Sequence, residues 1–149
     1  MLFRSLVAWL GGELVGALHV SWAGADEPEV RAHLPGVPIL HRLRIRADLR
    51  RRGYGGQLLE DAERRLRKDG HSRVAAGITT GATVDRNAEE LVVRFYGRHG
   101  YGEWPYGVID TFDERHSSDG RIVRTPDQCR IFVKTLPPED AQSWSEADQ

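Results

Sequence analysis

Ile45-Arg46-Ala47-Asp48-Leu49-Arg50-Arg51-Arg52-Gly53-Tyr54-Gly55-Gly56 connects an apolar run to an amphipathic stretch that begins at Leu58. The glycines at 53, 55 and 56 therefore mark a turn from a strand into a helix. Without Cβ atoms the chain can bring several backbone N–H groups together, and the helix N-terminus adds about half a positive charge. That is a cradle for a phosphate or diphosphate. A glycine-rich turn after a strand is often only a turn, so the neighbouring residues matter. Two familiar phosphate loops fail on spacing. No Gly-Lys-Ser/Thr run is present, and the third glycine of a dinucleotide fingerprint would fall at position 58, which is Leu58.

Bulk properties narrow the class. The 149 residues suit one domain, residues 1–149, with an expected core over 2–136 and a polar, disordered tail over 137–149. A chain of this size buries roughly 68–70% of its unfolded surface and needs no staple. Cys129 is the only cysteine, so an internal disulfide and a Cys-rich metal site are excluded. No metal is expected, Cys129 reads as a small buried apolar residue, and a reducing, cytoplasmic setting fits. The apolar start, Leu2 to Leu10, is interrupted by Gly11-Gly12-Glu13 and reads as a strand rather than a signal peptide. No run approaches the roughly 18 apolar residues of a membrane span, so no membrane partner is expected. The net charge of −1 argues against general nucleic-acid binding, although six arginines crowd residues 42–52. Such a cluster is either a solvated face or a pocket for a polyphosphate.

The remaining pattern is mixed α and β. Leu2–Leu10 and Glu13–Trp22 should pair through a tight Gly11-Gly12 turn. Residues 23–38, with three prolines and two glycines, read as a long loop. Ile39–Arg46 reads as a strand in which Ile39, His41, Leu43 and Ile45 share one face and Leu40, Arg42, Arg44 and Arg46 the other. Leu58, Leu59, Ala62 and Leu66 carry a helix over Tyr54–Lys68 that Gly70 ends, with Glu63 off the apolar stripe. Ser72–Thr80 is the next strand. A second helix opens at Asn87, with Glu90 as capping-box partner and a stripe of Ala88, Leu91, Val92, Phe95, Tyr96 and His99. Strands near Tyr106–Phe112 and Gln128–Leu136 complete the chain.

Two motifs then point to one family. Ile45 to Gly55 resembles the V-x-P-x-x-[RQ]-x-x-G-x-[GA] signature of the GNAT superfamily of N-acyltransferases, with Ile45, Ala47 and Arg50 in the Val, Pro and Arg/Gln places. Leu91-Val92-Val93-Arg94-Phe95-Tyr96-Gly97-Arg98-His99-Gly100-Tyr101 resembles the second hallmark, N-x-x-A-x-x-F-Y-x-x-x-G-[FY]. Glu89 and Val92 stand where that pattern has Asn and Ala. The resemblance implies an α+β fold: a mostly antiparallel central sheet with a splayed parallel pair and flanking helices. It also implies transfer of an acetyl group from acetyl-CoA, as co-substrate, to a primary amine of a small molecule or a protein.

The resemblance assigns roles by position. Backbone of Leu43, Arg44 and Ile45 would pair with the pantetheine arm. The segment Arg51, Arg52, Gly53, Tyr54, Gly55, Gly56 would hold the pyrophosphate, with the Arg50, Arg51 and Arg52 side chains adding charge-assisted hydrogen bonds. Tyr96 would protonate the leaving thiolate, since a phenol stays protonated at neutral pH. His41, where arylalkylamine N-acetyltransferases carry a histidine, would take the proton of the acceptor ammonium; His19, Glu13 and Glu89 are other candidates. Family members usually begin with a strand and two helices before the first hairpin, and this sequence has no room for them ahead of Leu2. A homodimer supplying the missing wall is one expectation, and an acyl-CoA-binding module without turnover is the alternative function. The acceptor loops would be residues 22–38 and 103–127, where Trp22, Trp104 and Tyr106 either line an aromatic pocket or belong to the core.

Overall fold

The computed structural model describes residues 3–81 and 84–138; the expected disordered tail from 139 onward lies outside them. Strand β1 (Phe3–Leu10) turns into β2 (Glu13–Ser21) through Gly11 and Gly12, both at positive φ (59° and 81°) as a two-residue hairpin requires. The 23–38 connection, expected as pure loop, contains a short helix α1 (Pro28–His33). Pro28 fits its first turn, and Val30 and Leu34 are buried beneath it. Strand β3 (Ile39–Ile45) runs antiparallel to β2. A single 3-10 turn (Ala47–Leu49) and the glycine loop lead into helix α2 (Tyr54–Lys68), then strand β4 (Arg73–Thr80), parallel to β3. Helix α3 (Arg86–Arg98) and strands β5 (Gly102–Glu103), β6 (Ile109–His116) and β7 (Ile122–Thr135) follow. The sheet order is β1-β2-β3-β4-β7, with β5 and β6 on different stretches of β7. This is the expected α+β architecture with one parallel pair.

Four expectations are corrected. The last hairpin is longer than Tyr106–Phe112 and Gln128–Leu136, because eight cross-strand pairs run from Ile109–Cys129 to His116–Ile122 through residues too polar to read as strand. Helix α3 opens at Asp85, not Asn87: the Asp85 carboxylate accepts from the Asn87 N–H at 3.0 Å. Its proposed stripe is buried only in the second half, since Ala88, Leu91 and Val92 are exposed while Tyr96 is buried. Glu63 is 3% exposed despite its charge, because Lys134 Nζ (2.5 Å) and the Tyr101 hydroxyl (3.1 Å) both donate to it.

A fifth correction concerns β3. Ala17 pairs with Arg44 but His19 pairs with His41, so β3 carries one extra residue, and Arg42 takes a left-handed φ of 53°. This bulge breaks the two-residue alternation. Leu40 faces the α2 side; after the bulge Leu43 and Ile45 return to that side, while His41 stays with Ile39 on the opposite face. The core is accordingly split by the sheet. One cluster joins Leu18, Val20, Leu40, Val74 and Phe132 to α2 and Tyr96 of α3; the other joins Ile39, Ala75 and Ile131 to α1 and Trp104. No helix among the described residues is long and apolar enough to cross a membrane.

Candidate active site

β3 and β4 are paired only at Ile39–Ala75 and Leu40–Ala76. Beyond the bulge β3 keeps β2 on one side, and β4 continues to Thr80 against β7, so a wedge opens between them. On the wedge side, backbone groups of Leu43, Arg44 and Ile45 have no strand partner. An amide-bearing chain could pair there as an added strand. Gly16 keeps this arrangement tight: a Cβ on it would lie 2.6 Å from Ile45 Cδ1 and 3.1 Å from the Arg44 carbonyl.

The wedge ends at the glycine loop. Gly53 caps α2 with φ 84° and without a side-chain hydrogen bond, and Arg51 is also left-handed at φ 64°. The first-turn N–H groups of α2 thus face outward without an intrahelical acceptor or a capping side chain, and α2 is long enough for its dipole to count. Gly55 and Gly56 have a second role, since Cβ atoms there would lie 3.5 Å from the Phe95 ring and 3.2 Å from His99. They let α3 approach the start of α2. Of the arginines, Arg46 is committed to structure, donating to Asp48 (2.7 and 3.1 Å) and Glu13 (2.9 Å). Arg50 donates to the Ile45 carbonyl at 3.2 Å, while Arg51 and Arg52 are exposed and make no ion pair with a described residue. Diphosphate chemistry fits this loop.

Tyr96 lies next to Phe95, ring centroids 5.3 Å apart, and Phe95 packs against Gly55. Burial alone pushes the Tyr96 phenol above its usual range, so it keeps its proton at neutral pH. At the Asn place of the motif, Glu89 has a buried Oε1 without a hydrogen bond, 3.7 Å from Arg130 Nη1. Arg130 is held instead by Glu103 through two bonds of 2.9 Å.

On the other sheet face His41 stands at the fork. Its Nε2 lies 3.0 Å from Ser21 Oγ, and it flanks Gly77, where an added Cβ would be 3.6 Å from His41 Nδ1 and 3.1 Å from Cys129 Sγ. Gly77 therefore leaves a notch between an imidazole and a thiol. Burial, aided by the charges of Arg42 and His19, pulls the His41 pKa down to about 4, and burial pushes the Cys129 thiol up to about 12. Next to it, the cross-strand partner His19 bonds Ser5 at 2.9 Å. Tyr96 and His41 thus lie on opposite faces of the sheet. Sequence reading missed Ser21, Gly77 and Arg130; only Gly77 carried a signal, as an isolated strand glycine marks close approach. No grouping of three or more His, Cys, Asp or Glu suited to a metal occurs among the described residues.

The family model of the acetyltransferase (GNAT) family matches residues 3–101, which span the wedge, the glycine loop and Tyr96. The chain belongs to the GNAT family. No curated protein matches it as a relative. Among solved structures it is similar to an acetyltransferase from Bacillus cereus (20% identity, TM-score 0.54, covering 90% of this chain and 73% of that one). It is also similar to a GNAT family acetyltransferase from Elizabethkingia anophelis solved with acetyl-CoA bound (14% identity, TM-score 0.60, 90% and 76%). A third is the ribosomal-protein-alanine N-acetyltransferase of Brucella melitensis (19% identity, TM-score 0.58, 90% and 69%). At these identities the likeness speaks to the GNAT fold.

Proposed function

We propose that this GNAT protein is an N-acetyltransferase that moves an acetyl group from acetyl-CoA to a primary amine by direct attack. The observation that carries the reading is the unpaired β3 edge leading to an uncapped α2 N-terminus, with a protonated tyrosine on one face of the sheet and a neutral histidine on the other. Acetyl-CoA, when bound, supplies the thioester. Leu43, Arg44 and Ile45 offer backbone groups to its pantetheine arm; the Arg51–Gly56 backbone with the Arg50, Arg51 and Arg52 side chains holds its pyrophosphate. His41, neutral at pH 7, takes the proton that frees the amine lone pair and relays it to water, since burial leaves it too weak a base to keep it. As the new C–N bond forms and the C–S bond breaks, Tyr96 gives its proton to the departing sulfur, and the proton that the acylated nitrogen then sheds returns through solvent to the Tyr96 phenolate. A cytoplasmic homodimer completes the reading. Phe112 and Ile122, 59% and 61% exposed on the β6–β7 ribbon, support the dimer; a monomer in light scattering at micromolar concentration would count against it.

The test is release of free thiol from acetyl-CoA with an amine panel. Tyr96→Phe should lower turnover about a hundred-fold while acetyl-CoA affinity, measured by calorimetry, is unchanged. Unchanged turnover removes Tyr96 as the acid. Tight acetyl-CoA binding without thiol release for any amine would favour the binding-module reading, to which Glu89 in the Asn place lends support.

A further inference from the structure

The face that carries His41 also carries a hollow that the proposed reaction leaves unused. Between α1 and the Trp104–Tyr106 segment is a cavity of about 480 Å³ lined by Pro28, Glu29, Ala32, His33, Trp104 and Tyr106. Its aromatic rings form one connected rack. His33 stacks on Tyr106 at 4.1 Å and 17°, Trp104 meets His33 edge-on at 5.6 Å, and Trp104 and Tyr106 are tilted at 4.8 Å. Glu29 supplies a carboxylate with no ion pair or hydrogen bond to a described residue, and the nearby Arg31 is occupied by Asp26 and the Ala25 carbonyl. The third expected pocket residue, Trp22, is elsewhere: it is buried in the other cluster and donates to Asp69 at 2.8 Å.

Aromatic faces beside an unpaired carboxylate suit an organic cation, since ring quadrupoles and the anion attract the same charge. The position relative to the fork matters equally. Trp104 packs in one cluster with Ile39 and Ala75, and His41 and Gly77 lie two residues further along those two strands. One such step is about 7 Å. We propose that this hollow is an organic-cation site that selects amine acceptors bearing a second ammonium or guanidinium group, roughly one to two strand steps, ~7–14 Å, from the reacting nitrogen. The cation-site half stands on the hollow itself; the acceptor half rests on the acetyl-transfer reading.

Two measurements separate these halves. Without any donor, choline and its neutral isostere 3,3-dimethylbutan-1-ol are titrated while the indole N–H resonance of Trp104 is followed, assigned with Trp104→Phe. Choline should bind about ten-fold more tightly, and Glu29→Gln and Tyr106→Ala, both surface changes, should remove the preference. Equal affinity for the two probes, or a preference that survives both variants, overturns the site. In the thiol-release assay 1,6-diaminohexane should exceed hexylamine about ten-fold in kcat/KM. Glu29→Gln should bring it down to the hexylamine value through KM, with kcat unchanged and hexylamine unaffected. A diamine turned over no better than hexylamine overturns the acceptor half while acetyl transfer stands. Selective choline binding without thiol release for any amine upholds the cation site and places the failure in the acetyl-transfer reading.

Discussion

The two faces of the sheet use the same strands but are held together by different forces. On the α2–α3 face, fully buried Leu18, Leu40, Leu59 and Leu66 interlock around a single ionic device, Glu63 with Lys134 and Tyr101. On the α1 face, cover is partial, and the central positions are filled by hydrogen-bonded or titratable side chains: His41 on Ser21, His19 on Ser5, and Cys129 beside Gly77. The closed face supplies rigidity through close packing. The open face can admit a ligand, at the cost of stability that depends on pH.

The largest expected break is on the closed face. Lys134→Met leaves the Glu63 carboxylate buried with only the Tyr101 hydroxyl, and should destabilise the fold by about 3–5 kcal/mol in denaturant unfolding. Adding Glu63→Leu should recover much of that loss, because the uncompensated charge is then gone; no recovery would mean that Lys134 acts through packing. The open face should show its character in acid. The folded His41 pKa of about 4 lies below the ordinary 6.5, so the unfolded chain takes up the proton first as pH falls. Its contribution is complete above pH 6.5 and is lost as pH falls towards 4. The loss should reach about 3 kcal/mol, and His41→Gln should flatten the stability profile over that window. A wild-type profile already flat there would show that His41 is solvated.

The smallest effect tests how closely the closed face is packed beside the wedge. Gly16→Ala places a methyl against Ile45 Cδ1, Leu58 and the Arg44 carbonyl and should cost about 1–3 kcal/mol. The same change should weaken acetyl-CoA binding, measured by calorimetry, if the wedge is the pantetheine edge. A stability loss with unchanged affinity would separate packing from binding.

Much of this molecule was legible residue by residue. Gly11-Gly12 marked its hairpin, the Leu58–Leu66 stripe marked α2 over the observed range, and the glycines after the arginine run marked the loop. These are local signals: a positive φ, a helical period, a missing Cβ. What stayed illegible depends on partners distant in the chain. The β3 bulge follows from its register with β2, so strict alternation put Leu43 with His41 on one face when Arg42 at φ 53° sends them to opposite faces. Glu63 looked like a surface charge because the residues that bury it lie 38 and 71 positions away. Leu91 and Val92 kept a helical apolar period yet remain exposed, since α3 meets the core only through its second half.

By itself, then, the sequence determined the GNAT class, the glycine loop ahead of α2 and the place of Tyr96 on α3, because each rests on residue types at fixed short spacing. Only the tertiary structure decided that β3 and β4 part after two paired residues, that His41 and Tyr96 lie on opposite faces of the sheet, and that His33, Trp104 and Tyr106 form one rack. Those outcomes are set by strand register and by which elements cover which face, and neither is encoded in any one segment.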